Sequence, residues 1–165
     1  MQINKSFVVA VALLLTACGY HLRGAYDLPK GMKNVYMEGG SPTLREQFDI
    51  ALTSSSGQLV ASREKADVVL RIFQDEIEHR TLSLSARGRS NEIELAGHLE
   101  FQLINAKNEV LIDHEPVDFR RAYFNDQQDV IAKGNEETII RKEMYQQVVR
   151  TLIRRARSVL EAKGK

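Results

Sequence analysis

The sequence predicts an α+β fold: a small mixed, largely antiparallel sheet with two helices packed on one face. Three observations carry this expectation. Leu44, Phe48 and Leu52 recur every four residues, giving one apolar helical face. From Ile93 to Leu103 apolar residues alternate with Glu94, Ala96, His98, Glu100 and Gln102, the pattern of a half-buried strand. Near the C-terminus Ile140, Met144, Val148, Leu152, Ala156 and Val159 follow 3–4 spacing, widened by Ile139, Val149, Ile153 and Leu160. The order of strand, helix, meandering strands and helix calls for a single layered domain.

Each element has its own local signal. Lys33 to Glu38 reads as a short strand broken by Gly39-Gly40. Ser41-Pro42 supplies an N-cap and a proline at the first helical position, and the helix is expected to stop within Thr53 to Gly57. Gln58 to Ala61 reads as a short strand or an extended connection. Ala66 to Glu78 begins as a buried strand around Val68, Val69, Leu70 and Ile72, and Thr81 to Ser85 alternates polar and apolar residues. Residues 86–91 read as a turn. Asn105 to Asn108 is a hairpin turn, followed by a return strand over residues 109–123 in which Pro116 points to an edge or a bulge. Asn135 is expected to cap the last helix, with Glu136 and Glu137 in the first turn where the helix dipole favours them.

The chain has 165 residues, of which 43% are hydrophobic and 27% charged. That is the composition of a globular protein with one core, not of a disordered chain or repeat array. The formal net charge of +1 hides an asymmetry. Residues 139–165 carry eight basic and two acidic groups, whereas residues 18–138 carry 14 basic and 20 acidic. A basic last helix meets anions or simply solvates one helical face.

The first residues form an address. Lys5 is a positive n-region, Phe7 to Leu15 an apolar core too short for a permanent span, and Thr16 and Ala17 are small residues before Cys18, the only cysteine. Leu15-Thr16-Ala17-Cys18 resembles the lipobox of bacterial lipoproteins, which implies removal of residues 1–17 and a diacylglyceryl and acyl lipid on Cys18. Residues 18–32 then form a lipidated tether and residues 33–165 the domain. Each buried methylene contributes roughly 0.8 kcal/mol, so two or three acyl chains make a lasting anchor. Gly19, where an aspartate would retain such proteins at the inner membrane, implies the outer membrane.

Motifs for catalysis and cofactors do not accumulate. His21, His79, His98 and His114 show no metal-ligand spacing, and there is no GxSxG elbow and no phosphate loop. The expectation is a non-enzymatic protein without cofactor or metal. Two basic features stand out. Arg87 and Arg89 flank Gly88 in a turn between strands, where guanidinium groups suit phosphate oxygens; the alternative is a soluble hairpin tip. Lys133 lies in Ala132-Lys133-Gly134-Asn135, beside an expected helix N-terminus; the alternative is a polar loop. Tyr123-Phe124 ends the last strand as either core or an interface anchor.

Cys18 to Arg23, Tyr123 through Glu137, Lys142 to Tyr145 and Leu152 to Arg155 resemble the LPS-assembly lipoprotein family, LptE or rare lipoprotein B. The resemblance follows the whole mature chain, with residues 45–110 matching only in pattern. It implies an outer-membrane lipoprotein in one-to-one complex with the large β-barrel LptD, supporting barrel assembly, plugging its lumen and binding lipopolysaccharide. By motif it assigns lipopolysaccharide contact to Lys133 and to Arg87, with Arg89 one register step away, and leaves Tyr123 and Phe124 as partner contacts. The end at Lys165 suggests no extended tail. A generic outer-membrane scaffold, for example of the barrel-insertion machine, is the runner-up, and a lipid-anchored hydrolase the third reading. An exported, lipid-anchored chain is not expected to bind nucleic acid.

Overall fold

The computed structural model describes residues 28–84, 88, 90–124 and 130–163, without the side chains of residues 90, 130–134 and 163. The five strands are β1 (Asn34–Glu38), β2 (Gln58–Leu59), β3 (Val68–Leu84), β4 (Ser90–Asn105) and β5 (Val110–Phe124). The two helices are α1 (Pro42–Thr53) and α2 (Val130–Lys163). The sheet order is β2-β1-β3-β4-β5. β1 pairs in parallel with β2 and β3, while β3, β4 and β5 form an antiparallel meander. The parallel pairs follow from α1, a crossover helix that returns the chain to the level at which β1 began.

The chain leaves β1 through Gly39 and Gly40, both at positive φ. A Cβ on Gly39 would lie 2.6 Å from the Ile72 carbonyl oxygen, so the turn against β3 demands glycine. Ser41 then caps α1, its Oγ accepting from the Leu44 N–H at 3.2 Å. The Ser41 N–H donates to Asp75 Oδ2 at 2.7 Å, and Asp75 Oδ1 accepts from the Tyr145 hydroxyl at 2.8 Å. One carboxylate thus joins β3 to the starts of α1 and the middle of α2. Burial pushes the Tyr145 hydroxyl up to about 12, the neighbouring Asp75 carboxylate adding to it against a bond with Ser41.

Both helices bury their stripes on one sheet face. Leu44, Phe48 and Leu52 of α1 and Met144, Val148 and Leu152 of α2 join Val35, Leu70, Leu99, Phe101 and Phe119 in a single cluster. Met32 is also fully buried and Leu28 packs against the same cluster, so the folded layer starts upstream of β1. Gly97 faces Phe119 across the β4–β5 pair, and the Phe119 ring covers it: a Cβ there would meet ring carbon at 2.2 Å. The ring then tilts onto Tyr145 with centroids 5.9 Å apart.

Two expectations change. The two stretches expected separately over 66–78 and 81–85 are joined in one 17-residue strand, Val68–Leu84, which absorbs its irregular polar pattern through bulges at Ile72/Gln74 and Thr81/Ser83. Phe73, thrown outward at the first bulge, stacks on His114 at 4.2 Å. The last helix begins at Val130, not at an Asn135 cap. A glycine inside a helix costs about 1 kcal/mol relative to alanine. Propagating an existing long helix by another turn is cheap, so Gly134 and Asn135 are carried inside it.

Candidate functional site

β1 ends at the level of Arg71, but β3 continues for thirteen residues. At 3.3 Å per residue the outer part of the β3–β4–β5 meander extends roughly 40 Å beyond β1. The end of β3, the start of β4, the end of β5 and the start of α2 meet at this far end. The register fixes the neighbourhood, because Ser83 and Phe124 both pair with Glu92 from opposite sides.

Glu137 holds this end together. It accepts from the Tyr123 hydroxyl at 3.1 Å and from Arg141 Nε at 2.8 Å, and lies 3.1 Å from His79 Nε2. Burial acts to raise its pKa, but bonds from Arg141, His79 and Tyr123 outweigh this and hold the carboxyl below its ordinary range. Burial, with the hydrogen bond to Glu137 behind it, pushes Tyr123 up to about 12. Helix-dipole reasoning placed Glu137 in a first turn; its role as a clasp was invisible because His79 and Tyr123 are 58 and 14 residues away in sequence.

The far end shows apolar groups to solvent. Leu82 is 50% exposed, Leu84 63%, Phe124 70% and Ile139 58%, values unlike the buried core below them. The pair Tyr123-Phe124 is therefore split. Tyr123 is turned inward and buried in the core, while Phe124 on the opposite face is presented outward. Alternation along a strand dictates this division.

Arg87 and Arg89 lie outside the described residues, in the connection from Leu84 to Ser90, whose Gly88 is exposed with φ +71°. Lys133 lies within the first turn of α2 and not in a loop before it; its side chain lies outside the described residues. Leu84 and Ser90, which flank the segment carrying Arg87 and Arg89, and the first turn of α2, which carries Lys133, lie towards one end of the described fold. Cys18 and the signal segment also lie outside the described residues.

The sheet face away from the helices is polar. A groove of about 380 Å³ there is lined by residues including Glu76, Glu78, Arg80, His98, Asp118 and Arg120. His98 lies on this face, as its alternation predicts, with Nδ1 2.7 Å from Asp118 Oδ1. The lining carries no hydroxyl or thiol side chain. Among the described residues no group of three or more His, Cys, Asp and Glu is placed to hold a metal, and no helix is long and apolar enough to cross a membrane.

A one-sided α+β layer with an open polar face and exposed apolar side chains at its far end defines the class of the fold. Two solved structures share the fold. Lipoprotein B from Nitrosomonas europaea superposes with a TM-score of 0.64 at 27% identity, covering 82% of this chain and 88% of that one. Rare lipoprotein B from Shewanella oneidensis gives 0.60 at 24% identity, covering 79% and 96%. In sequence, the LPS-assembly lipoprotein LptE of Photorhabdus laumondii is 27% identical, covering 95% of this chain and 87% of its own length. The LptE of Pectobacterium atrosepticum is 25% identical, covering 91% and 83%. The profile of the LptE lipopolysaccharide-assembly family matches residues 32–156, and the chain belongs to that family.

Proposed function

We propose that this protein is a non-enzymatic outer-membrane lipoprotein, acylated at Cys18, that joins the LPS-assembly barrel LptD one-to-one, supports its assembly, fills its lumen and binds lipopolysaccharide at the far end. The observation that carries the reading is the exposure of Leu82, Leu84, Phe124 and Ile139 at the end of the fold where β3 leads into the segment of Arg87 and where α2 begins. Lipopolysaccharide is an amphiphile of matching kind, with acyl chains beside phosphates normally bridged by divalent cations. Lys133 and Arg87, with Arg89 beside the latter, take the place of those cations, and the apolar side chains meet acyl surface.

Leu28, the first described residue after Cys18, lies at the opposite end. Leu28 packs against Gly57 beside β2, at the level where β1 begins. From Cys18 to Leu28 the chain spans at most about 35 Å, while β3 alone runs roughly 50 Å away from that level. A tether of that length does not reach the far end, which suits a protein working between a membrane surface and a translocated lipid.

The test is to purify a C-terminally tagged copy from detergent-solubilised outer membrane, alongside an Arg87→Asp/Lys133→Asp variant. A single very large β-barrel in roughly equal amount, with lipopolysaccharide bound by the parent and lost from the folded variant, is expected. Recovery with a different complex, such as the barrel-insertion machine, would sink this reading in favour of a general scaffold.

A further inference from the structure

A second cationic site lies away from the far end, in the seam between β5 and α2. The helix runs antiparallel to β5, with Arg121 Nη2 3.3 Å from Glu143 Oε2 near one end and Arg155 Nη1 2.8 Å from the Pro116 carbonyl near the other. Between them a groove of about 260 Å³ is lined by Arg120, Arg121 and Arg150, with Glu143 and Met144. Consecutive strand residues point to opposite faces. Arg120 and Arg121 therefore straddle the sheet edge, and Arg150 closes the groove from the helix.

Most of the other described arginines are paired. Arg63, Arg71, Arg80, Arg141, Arg155 and Arg157 each lie within 4 Å of a carboxylate. Arg120 and Arg150 form no such pair among the described residues, although Arg120 also borders the acidic groove on the open face. On the helix side Arg121 and Arg150 thus have one carboxylate between them in the groove, Glu143, which is already on Arg121, while Arg120 at the rim also faces Glu94 and Asp118 on the open side. Arg121 and Glu143 are both more than half exposed, so that pair is weak and readily exchanged. Clustered like charges are unfavourable until an anion joins them, and guanidinium forks match phosphate oxygens in pairs.

We propose that this groove is a phosphate-binding site, used by the phosphorylated headgroup of the same glycolipid that the far end engages, with Glu143 as the internal anion that the phosphate displaces. The assignment of the glycolipid rests on the proposed function; the phosphate chemistry does not. Arg150 lies seventeen residues along α2 from Lys133, which at 1.5 Å per residue is about 25 Å. The groove is therefore a separate station and not part of the Lys133 turn. Arg154, exposed one helical turn further, continues the cationic line away from the far end.

The test uses the full mature lipoprotein in detergent, with arginine Nε–H resonances followed by NMR during titration with inorganic phosphate, bisphosphorylated lipid A, its dephosphorylated counterpart and phosphatidylglycerol micelles. Shifts of the Arg120, Arg121 and Arg150 signals with phosphate and bisphosphorylated lipid A, but not with the dephosphorylated lipid, are expected. Arg120→Gln/Arg150→Gln should weaken binding of the bisphosphorylated lipid at least tenfold, whereas Lys142→Gln should leave it unchanged. Equal responses to phosphatidylglycerol would overturn the glycolipid assignment and make the groove a general headgroup site. Unmoved wild-type signals would overturn the site itself, while loss of binding in Arg87→Asp/Lys133→Asp would still support the far-end reading. Loss of barrel co-purification with lipid binding intact would make the arginines a protein contact and also overturn the site.

Discussion

The two ends of β3 belong to different molecules in physical terms. At the end beside β1 Val68, Leu70 and Ile72 are buried under α1 and α2, and β1 covers the strand's outer edge. At the far end the same strand runs on beyond β1, and Leu82 and Leu84 stand in solvent. One half is a core that gains its stability from burial; the other is a surface whose apolar residues gain nothing until something covers them. The difference teaches that apolar residues in one strand serve folding in its first third and recognition in its last.

Paired truncations break or sharpen this contrast most strongly. Phe48→Ala, in the fully buried layer, should cost about 3–5 kcal/mol of unfolding free energy. Phe124→Ala, at the far end, should stay within about 0.5 kcal/mol in the isolated protein, yet weaken recovery with the membrane complex. Denaturant unfolding of both variants decides it: equal losses would mean that the far end is part of the core. Gly97→Ala probes the boundary between the two regions. The new Cβ would strike the Phe119 ring and push it off Tyr145. We expect a loss of about 1–3 kcal/mol, the usual cost of overpacking, and partial recovery when Phe119→Leu is added.

The smallest effect is in pH dependence. Tyr123 and Tyr145 have folded pKa values raised from 10.0 to about 12. Their stabilisation is fully present below pH 10 and is lost as pH rises through about 12. Glu137 has the opposite sign: its folded pKa is depressed, so its contribution is present above the ordinary carboxylate range and lost as pH falls through the folded value. Tyr145→Phe should flatten only the alkaline limb of the stability profile, and Glu137→Gln only the acid limb. A Glu137→Gln variant with an unchanged acid limb would remove the clasp at the far end.

Most of the elements were legible because their signals are local. Ser41-Pro42 and the Leu44, Phe48, Leu52 spacing place α1, and alternation from Ile93 to Leu103 places β4 with His98 on the open face. Pro116 correctly marks β5 as an edge strand, since a missing N–H is tolerated where no neighbour needs it. The start of α2 was misread because a local preference for Asn135 as a cap is outweighed by continuation of a long helix. The Tyr123-Phe124 pair stayed ambiguous because two adjacent strand residues always face opposite ways, and which way is decided by register.

By itself, then, the sequence determined the segments of α1, β4 and β5, whose signals lie in contiguous residues. Only the tertiary structure decided that Asp75 joins two helices, that Glu137 clasps His79 and Tyr123, and that Arg120, Arg121 and Arg150 share a groove. These groupings unite residues tens of positions apart. Their distances are set by strand register and helix packing, neither of which is written in any local stretch of chain.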